Sequence, residues 1–262
     1  MEQNIELKNC CLRYNVSGSG PVIVLLHGYL ENLFVWDTIT PALEKTFTVL
    51  RVDLPGHGKS ECSESEISME FMAGCVRQLL DKLNIKKIFL IGHSMGGYVS
   101  LAFTEMFPEL LSGVCLFHSN PYADSSEKKT SRLADVDAIL NGGKEDLANR
   151  AIPNLFAPQN LQKFSGEVER VKSIARATSN DGVIGALKGM ANRPDRSDVI
   201  INTEVPVSFI LGKYDKLIPP DLVEKMKTSF KKARFLILKN SGHMGYIEEP
   251  NQAIEAIRSV VR

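Results

Sequence analysis

The amino-acid sequence predicts an α/β fold with a mainly parallel β-sheet. Short, continuous apolar runs recur along the chain, as is typical of strands that are buried on both faces. Segments with helical periodicity separate these runs, and such strand–helix–strand units form right-handed crossovers in a parallel sheet. The length of 262 residues, with 44% hydrophobic and 24% charged residues, fits a globular protein with a single α/β core.

The predicted strands begin with a hairpin. Residues 5–16 contain two weakly alternating segments, which favours an antiparallel pair at the edge of the sheet. The strands that follow do not alternate, because helices are expected to cover both faces of the sheet. In chain order they are predicted at residues 21–26, 47–52, 88–91, 113–117, 207–211 and 235–238.

The predicted helices lie between these strands. The clearest helix spans residues 71–83, where the apolar side chains form one stripe at helical spacing. In residues 36–43, Trp36, Ile39 and Leu43 also recur at helical spacing. Further helices are predicted at residues 95–106, 222–230 and 252–261.

Residues 119–205 interrupt this alternation. Apolar runs disappear there, and four helical patterns take their place, at residues 133–140, 145–152, 168–177 and 183–190. A segment of this length is too long for a plain loop. The sequence therefore predicts a core formed by residues 1–118 and 206–262 and a helical insertion at residues 119–205.

Charge and composition narrow the choice of partners. The 31 basic and 31 acidic side chains cancel, so nucleic acid and anionic membranes are not the expected partners. No basic N-terminal segment leads into an apolar one, and no apolar run approaches the length of a membrane span. The five cysteines are odd in number and lack a C-x-x-C pair, which favours free thiols and a cytoplasmic location.

Ser94 is the candidate nucleophile. It lies in Gly92-His93-Ser94-Met95-Gly96, a G-x-S-x-G pattern that follows a buried strand and opens a helix. Such a turn holds the serine in a strained backbone conformation, clear of the sheet. The N–H of Met95 is then at a helix N-terminus, where a developing oxyanion is stabilised.

A serine nucleophile needs a base, and the base needs an orienting acid. His243 follows the last predicted strand, and Asp215 follows the strand before it. Because the carboxyl ends of parallel strands meet at one edge, Ser94, Asp215 and His243 are expected to form a catalytic triad. Tyr29 follows the strand at residues 21–26, and its N–H is expected to pair with that of Met95 in an oxyanion hole.

Three further residues are candidates for the substrate pocket: His118, Phe156 and Met244. His118 follows a strand at the same edge, where a hinge role is the alternative. For Phe156 the alternative is core packing. The run Glu127-Lys128-Lys129 is expected to be a solvated face. The histidines show no metal-ligand spacing, so we expect neither a metal nor a cofactor.

In combination, these motifs resemble those of the α/β-hydrolase fold family over nearly the whole chain. The resemblance implies an eight-stranded, mostly parallel sheet with a helical cap inserted after the sixth strand, and a cofactor-free active site under the cap. Ser94, where other branches carry Asp, argues against haloalkane dehalogenases and epoxide hydrolases. The landmark segments are His27-Gly28, Asp53-Leu54-Pro55-Gly56-His57-Gly58-Lys59-Ser60, Gly92-His93-Ser94-Met95-Gly96-Gly97, Asp215 and Ser241-Gly242-His243.

The sequence thus predicts a serine hydrolase that cleaves a small to medium carboxylic ester through an acyl-enzyme on Ser94. Other reactions on the same triad are the alternatives: a carbon–carbon bond hydrolase, a perhydrolase or a lyase. A hydrolase-like small-molecule receptor is the alternative outside enzymes. The expected partner is a small molecule, and the sequence specifies no oligomeric state.

Overall fold

A nine-stranded β-sheet lies at the centre of the computed structural model, which describes residues 2–64 and 67–261. Eight strands follow one another in the order β1-β2-β4-β3-β6-β7-β8-β9, and the two-residue β5 pairs with β2. The strands are β1 (Glu2–Glu6), β2 (Cys10–Gly18), β3 (Val22–Leu26), β4 (Thr48–Val52), β5 (Glu61–Cys62), β6 (Ile88–His93), β7 (Leu111–Phe117), β8 (Val207–Gly212) and β9 (Arg234–Leu238).

The sheet is mostly parallel, as predicted. Strand β2 is antiparallel to β1, β4 and β5, whereas the pairs from β4 to β9 are parallel. The predicted fold class is therefore confirmed, with the short β5 as an addition. The central strands carry continuous apolar residues because both of their faces are covered: every side chain of β6 is buried.

Helices flank the sheet and fill the long insertion between β7 and β8. The α-helices are α1 (Thr40–Leu43), α2 (Met69–Lys82), α3 (Met95–Met106), α4 (Ser126–Leu140), α5 (Lys144–Ala151), α6 (Ser165–Ala177), α7 (Asn180–Asn192), α8 (Ser197–Asn202), α9 (Pro220–Ser229), α10 (Gly245–Glu248) and α11 (Pro250–Val260). Helices α8 and α10 are additions to the elements that the sequence predicted.

The helical pattern at residues 36–43 does not form one helix. It divides into a 3₁₀ turn at Leu33–Trp36 and the short α1. Pro41 explains the division: it has no N–H to donate, so a helix running through this segment would lose the bond from residue 41 to residue 37. In the first turn of α1, where that N–H has no partner in any case, Pro41 is accommodated.

The insertion packs directly on the core. Helix α4 contacts α7, and α5 contacts α6. Helix α7 approaches the loop after β4 so closely that a Cβ on Gly182 would lie 1.8 Å from the carbonyl oxygen of Gly56. The insertion follows the sixth of the eight strands on the main path, as the family resemblance implied.

The chain changes direction at β3, which has β4 on one side and β6 on the other. In open α/β sheets, a crevice that binds ligands forms at the carboxyl ends of the strands where the strand order reverses. The loop that follows β3 contains Tyr29, and the turn that follows β6 contains Ser94. The Ser94 N–H donates to the carbonyl oxygen of Phe117 at 3.0 Å, which fixes the turn to the end of β7.

Two further features concern the length and polarity of the helices and the state of the cysteines. Over residues 2–64 and 67–261, the helices are too short or too polar to cross a membrane. All five cysteines are free thiols, and the Sγ atoms of Cys10 and Cys75 lie 3.4 Å apart.

Candidate active site

Ser94 lies in a strained turn between β6 and α3. Its backbone has φ +50° and ψ −113°, a conformation that residues with a Cβ rarely adopt. The flanking glycines permit the turn because there is no room for side chains at their positions. A Cβ on Gly92 would lie 2.1 Å from the Gly96 carbonyl oxygen, and one on Gly96 would lie 2.4 Å from that of Leu26. The turn therefore requires the G-x-S-x-G pattern, and Ser94 remains only half-buried at its tip.

Asp215 and His243 meet at the carboxyl ends of β8 and β9. The Nδ1 atom of His243 donates to Asp215 Oδ2 at 2.7 Å. The other carboxylate oxygen, Oδ1, accepts the N–H groups of Leu217 and Ile218 at 2.8 and 3.2 Å, which fixes the carboxylate. The Nε2 atom of His243 is buried and has no hydrogen-bond partner within the described part of the chain. This nitrogen is therefore available to accept a proton.

The charges of this pair are mutually stabilised. Burial disfavours the ionised carboxylate of Asp215, but the positive charge and hydrogen bond of His243 hold its pKa well below the usual range. Burial likewise disfavours the imidazolium form of His243, yet the negative charge of Asp215 raises its pKa above the ordinary value of 6.5. The pair is thus suited to take up and hold a proton on His243.

His118 lies against the same carboxylate. Its Nδ1 atom is 3.2 Å from Asp215 Oδ2 and 3.1 Å from the N–H of Gly212. Burial lowers the pKa of His118 to about 4, although Asp215 opposes this effect. His118 is therefore neutral at physiological pH and packs beside the pair formed by Asp215 and His243.

His118, Asp215 and His243 are also residue types that can bind a metal ion. One potential ligand atom from each of His118, Asp215 and His243 lies within 4.8 Å of the others. The sequence predicted that these residues lie at the same edge of the sheet, but their separation in the chain shows no metal-ligand spacing. However, His243 Nδ1 uses its hydrogen to reach Asp215, and a metal at this nitrogen would displace that bond. An ion bound there would therefore compete with the contact that fixes His243.

The loop after β3 presents backbone amides at the same edge. His27 donates from Nδ1 to the carbonyl oxygen of Gly28 at 2.7 Å, and its Nε2 accepts the N–H of Leu54 at 2.9 Å. Burial lowers the pKa of His27 to about 4, so it is neutral and orders the loop. The N–H of Tyr29 donates to no acceptor in the described residues. Met95 is the first residue of α3, where N–H groups have no intrahelical acceptor.

Glu31 is a buried residue of this site that the sequence analysis missed. Its Oε2 accepts the N–H of Gly28 at 2.6 Å and faces Nδ1 of His93 at 2.9 Å, and its Oε1 accepts the hydroxyl of Tyr246 at 2.9 Å. Burial opposes its ionisation, but the charge of His93 and these hydrogen bonds lower the pKa of Glu31 to about 2. The sequence signal that could have identified Glu31 is its position: an acidic residue three positions after Gly28, in the loop at the carboxyl end of β3.

A cavity of about 420 Å³ opens beside His243. His118 forms part of its wall, and so does Tyr98, which lies one helical turn after Ser94 on α3. Phe156 and Met244, the other pocket candidates, are fully buried in the core, outside the lining of this cavity.

The sheet order and the strained serine turn are those of an α/β hydrolase. The family model described as alpha/beta hydrolase fold matches residues 21–250. The match covers most of the chain, so the protein belongs to this family and is a hydrolase.

Named relatives include esterases. The pimeloyl-acyl-carrier-protein methyl ester esterase of Aeromonas hydrophila is 27% identical over 93% of this chain and 96% of its own length. A thermophilic esterase from Thermogutta terrifontis, solved with malate bound, is 28% identical with a TM-score of 0.94, over 98% of this chain and 97% of that one. The enol-lactonase of Burkholderia xenovorans is 23% identical with a TM-score of 0.91, over 99% of both chains, and shares the fold.

Proposed function

We propose that the protein is a carboxylesterase that acts through an acyl-enzyme on Ser94. One observation carries the proposal: Asp215 fixes His243 by its Nδ1 atom and leaves the buried Nε2 atom without a partner. The ring of His93, the residue before Ser94, lies 4.9 Å from the His243 ring between centroids. The His243 imidazole is therefore packed against the residue that precedes Ser94.

In the first half of the reaction, the Ser94 hydroxyl attacks the ester carbonyl carbon and transfers its proton to Nε2 of His243. The imidazolium then gives this proton to the leaving alcohol as the carbon–oxygen bond breaks. In the second half, a water molecule attacks the acyl-enzyme and His243 accepts its proton. His243 then returns this proton to Ser94 Oγ as the bond between the acyl carbon and Oγ breaks and the acid product leaves. Asp215 holds the His243 ring in the required tautomer throughout.

The oxyanion formed in both halves needs two donors. The N–H groups of Tyr29 and Met95 fit this role because neither is engaged with an acceptor of the fold. Met95 adds the favourable electrostatics of a helix N-terminus. The neighbouring Gly28 N–H is engaged by Glu31, which leaves the Tyr29 amide as the first free donor after His27.

Residues 119–205 act as a cap in this proposal. The carbonyl oxygen of Leu155, in the insertion, accepts the N–H of His243 at 2.6 Å, so the insertion contacts the loop of the catalytic histidine. The esterases among the relatives support ester hydrolysis as the reaction.

The test combines labelling with kinetics. Wild type, Ser94→Ala and a control, Ser165→Ala, are treated with a fluorophosphonate and assayed with p-nitrophenyl esters. Ser165 is exposed in α6 and serves as a matched loss of one hydroxyl. We expect a burst of p-nitrophenol and label on Ser94 in wild type and the control, and a fall in kcat of about 10⁴-fold in Ser94→Ala. A folded Ser94→Ala protein that retains the wild-type rate would refute the proposal.

A further inference from the structure

We propose that the cavity beside His243 binds an anionic group of the substrate, so that the preferred ester carries a carboxylate or phosphate at the end of its chain. This inference rests on the proposed ester hydrolysis and adds the substrate class. The cavity has five cationic side chains and one carboxylate, Asp124, in its wall. The cationic residues are Lys128, Arg132, Arg193, Lys216 and Lys225.

Two of the five cations are neutralised in part by the protein itself. Asp124 accepts from Arg132 Nε through Oδ2, and its Oδ1 lies 2.8 Å from Nη1 of Arg193. Arg193 also donates to the carbonyl oxygens of Met190 and Tyr122 at 2.7 and 2.9 Å. These buried groups form a rigid base that still carries a net positive charge.

The three lysines have no ion-pair partner among the described carboxylates. Each comes from a different element: Lys128 from the first turn of α4, Lys216 from the loop after Asp215, and Lys225 from α9. Lys216 donates to Asn154 at 3.0 Å, and Lys225 lies over the Tyr122 ring at 4.4 Å. Neither contact removes a charge, so the rim of the cavity is cationic.

Like charges that converge on one cavity repel one another. Burial among protein atoms lowers the pKa of Lys128, and the charge of Arg132 lowers it further, although the carboxylates of Asp124 and Asp135 oppose this effect. A cleft with walls of one sign concentrates ions of the opposite sign, and an anionic group in the cavity would relieve the repulsion. Carboxylates and phosphates are the anions that arginine and lysine bind best in proteins.

The cavity also has an apolar side. Leu217, Ile218 and Leu222 line it together with the cations and His243. This arrangement suits a short acyl chain that runs along the apolar wall from the reacting carbonyl to a terminal anion at the lysine rim. Half-esters of dicarboxylic acids have this shape, and so do short esters that end in a phosphate.

Kinetics with a matched substrate pair test the inference. Mono-p-nitrophenyl glutarate and p-nitrophenyl pentanoate have acyl chains of the same length and differ by the terminal charge. The test variant is the double Lys128→Gln/Lys225→Gln. The control, Lys45→Gln/Lys231→Gln, removes two exposed lysines that precede β4 and β9, at the opposite edge of the sheet.

In wild type we expect kcat/KM for the glutarate ester to exceed that for the pentanoate ester by at least about tenfold. The test variant should lose at least about tenfold on the glutarate ester and less than about twofold on the pentanoate ester, and the control should change neither. Ser94-dependent cleavage of both esters without preference or lysine effect would overturn the inference and leave the esterase proposal intact.

A binding experiment tests the anion site separately from catalysis. If neither ester is cleaved, the esterase proposal is refuted, but the anion site can still be confirmed or overturned by binding. Glutarate and inorganic phosphate are titrated calorimetrically into Ser94→Ala protein with and without the lysine changes. We expect at least one anion to bind, with Kd weakened at least about tenfold by Lys128→Gln/Lys225→Gln and unaffected by the control. Stronger binding of glutarate or of phosphate identifies the terminal group, and no binding of either overturns the inference.

Discussion

Glu31 and His93, the residue before Ser94, are buried and in direct contact. The Nδ1 atom of His93 faces Glu31 Oε2 at 2.9 Å, and its Nε2 faces the carbonyl oxygen of His243 at 2.9 Å. Both ring nitrogens of His93 therefore face oxygen atoms, one of a carboxylate and one of a backbone carbonyl. Through this ring, the loop that holds Tyr29 is connected to the loop that holds His243.

Replacing Glu31 with Gln should therefore destabilise the fold and impair catalysis. The change removes a buried carboxylate that accepts from Gly28 and Tyr246 and faces His93. We therefore expect the free energy of unfolding to fall by about 3 kcal/mol. Because the His243 loop loses a fixed support, kcat should decrease more than KM changes. Urea denaturation and steady-state kinetics measure the two effects.

Tyr246→Phe is the matched control for this prediction. It removes the hydrogen bond to Glu31 Oε1 but keeps the carboxylate that faces His93, so we expect a cost of about 1 kcal/mol and near-normal kcat. If Glu31→Gln costs no more than Tyr246→Phe, the negative charge of Glu31 does not stabilise the site.

Asp215→Asn should shift the pH profile. His243 must be neutral to accept a proton, and Asp215 raises its pKa above 6.5. In wild type, kcat/KM should therefore fall as pH decreases through a value above 6.5. Without the carboxylate, the acidic limb should move to lower pH, and the plateau should fall by about 10³–10⁴-fold because the favoured tautomer is lost.

Asp221→Asn, an exposed carboxylate in α9, controls for a simple change in net charge. It should leave both the acidic limb and the plateau in place. An Asp215→Asn profile with its limb at the wild-type pH would exclude Asp215 as the group that sets the pKa of His243.

Local patterns predicted the strands and the serine turn because each depends on neighbouring residues. The apolar run before Ser94 and the glycines around it are readable from the chain, and the loops of Asp215 and His243 follow from the parallel topology. Contacts between distant segments could not be predicted in this way. Glu31 acquires its importance only when the fold brings His93 and Tyr246 to it.

The charge of the cavity illustrates the same limit. Lys128 was expected on a solvated face, and its sequence neighbours, Glu127 and Lys129, suggest nothing else. In the structure it lines a cavity with Lys216 and Lys225, which are about ninety residues away in the chain. A net charge of zero conceals such local concentrations, because they depend on tertiary packing.

Ser94→Gly should be more stable than Ser94→Ala. The backbone at Ser94 has φ +50°, where any residue with a Cβ is strained by about 1–3 kcal/mol. Glycine relieves this strain but gains freedom in the unfolded chain, so we expect a net difference of about 1 kcal/mol. Both variants lack the hydroxyl, so their melting temperatures isolate the backbone effect. Equal stability would contradict the prediction, because the strain relieved would then be no larger than the entropy that glycine adds to the unfolded chain.

Arg13→Met should destabilise the protein more at pH 8 than at pH 5. Arg13 donates from Nε to Asp53 Oδ2 at 2.6 Å, and both side chains are buried. Burial already raises the pKa of Asp53, and Arg13 is among the groups that oppose this rise. Without Arg13 the pKa of Asp53 rises further in the folded state only, so stability is lost as pH increases through the carboxyl range.

We expect this variant to lose about 3–5 kcal/mol of unfolding free energy at pH 8, because an unpaired charge remains buried. At pH 5 the loss should be smaller, since protonation of Asp53 removes that charge. Arg13→Met/Asp53→Asn removes the charge at every pH and should recover most of the stability at pH 8. Urea denaturation of both variants at the two pH values measures this. Equal losses at both pH values would contradict the prediction, because removing Arg13 would then not change the protonation of folded Asp53 between pH 5 and pH 8.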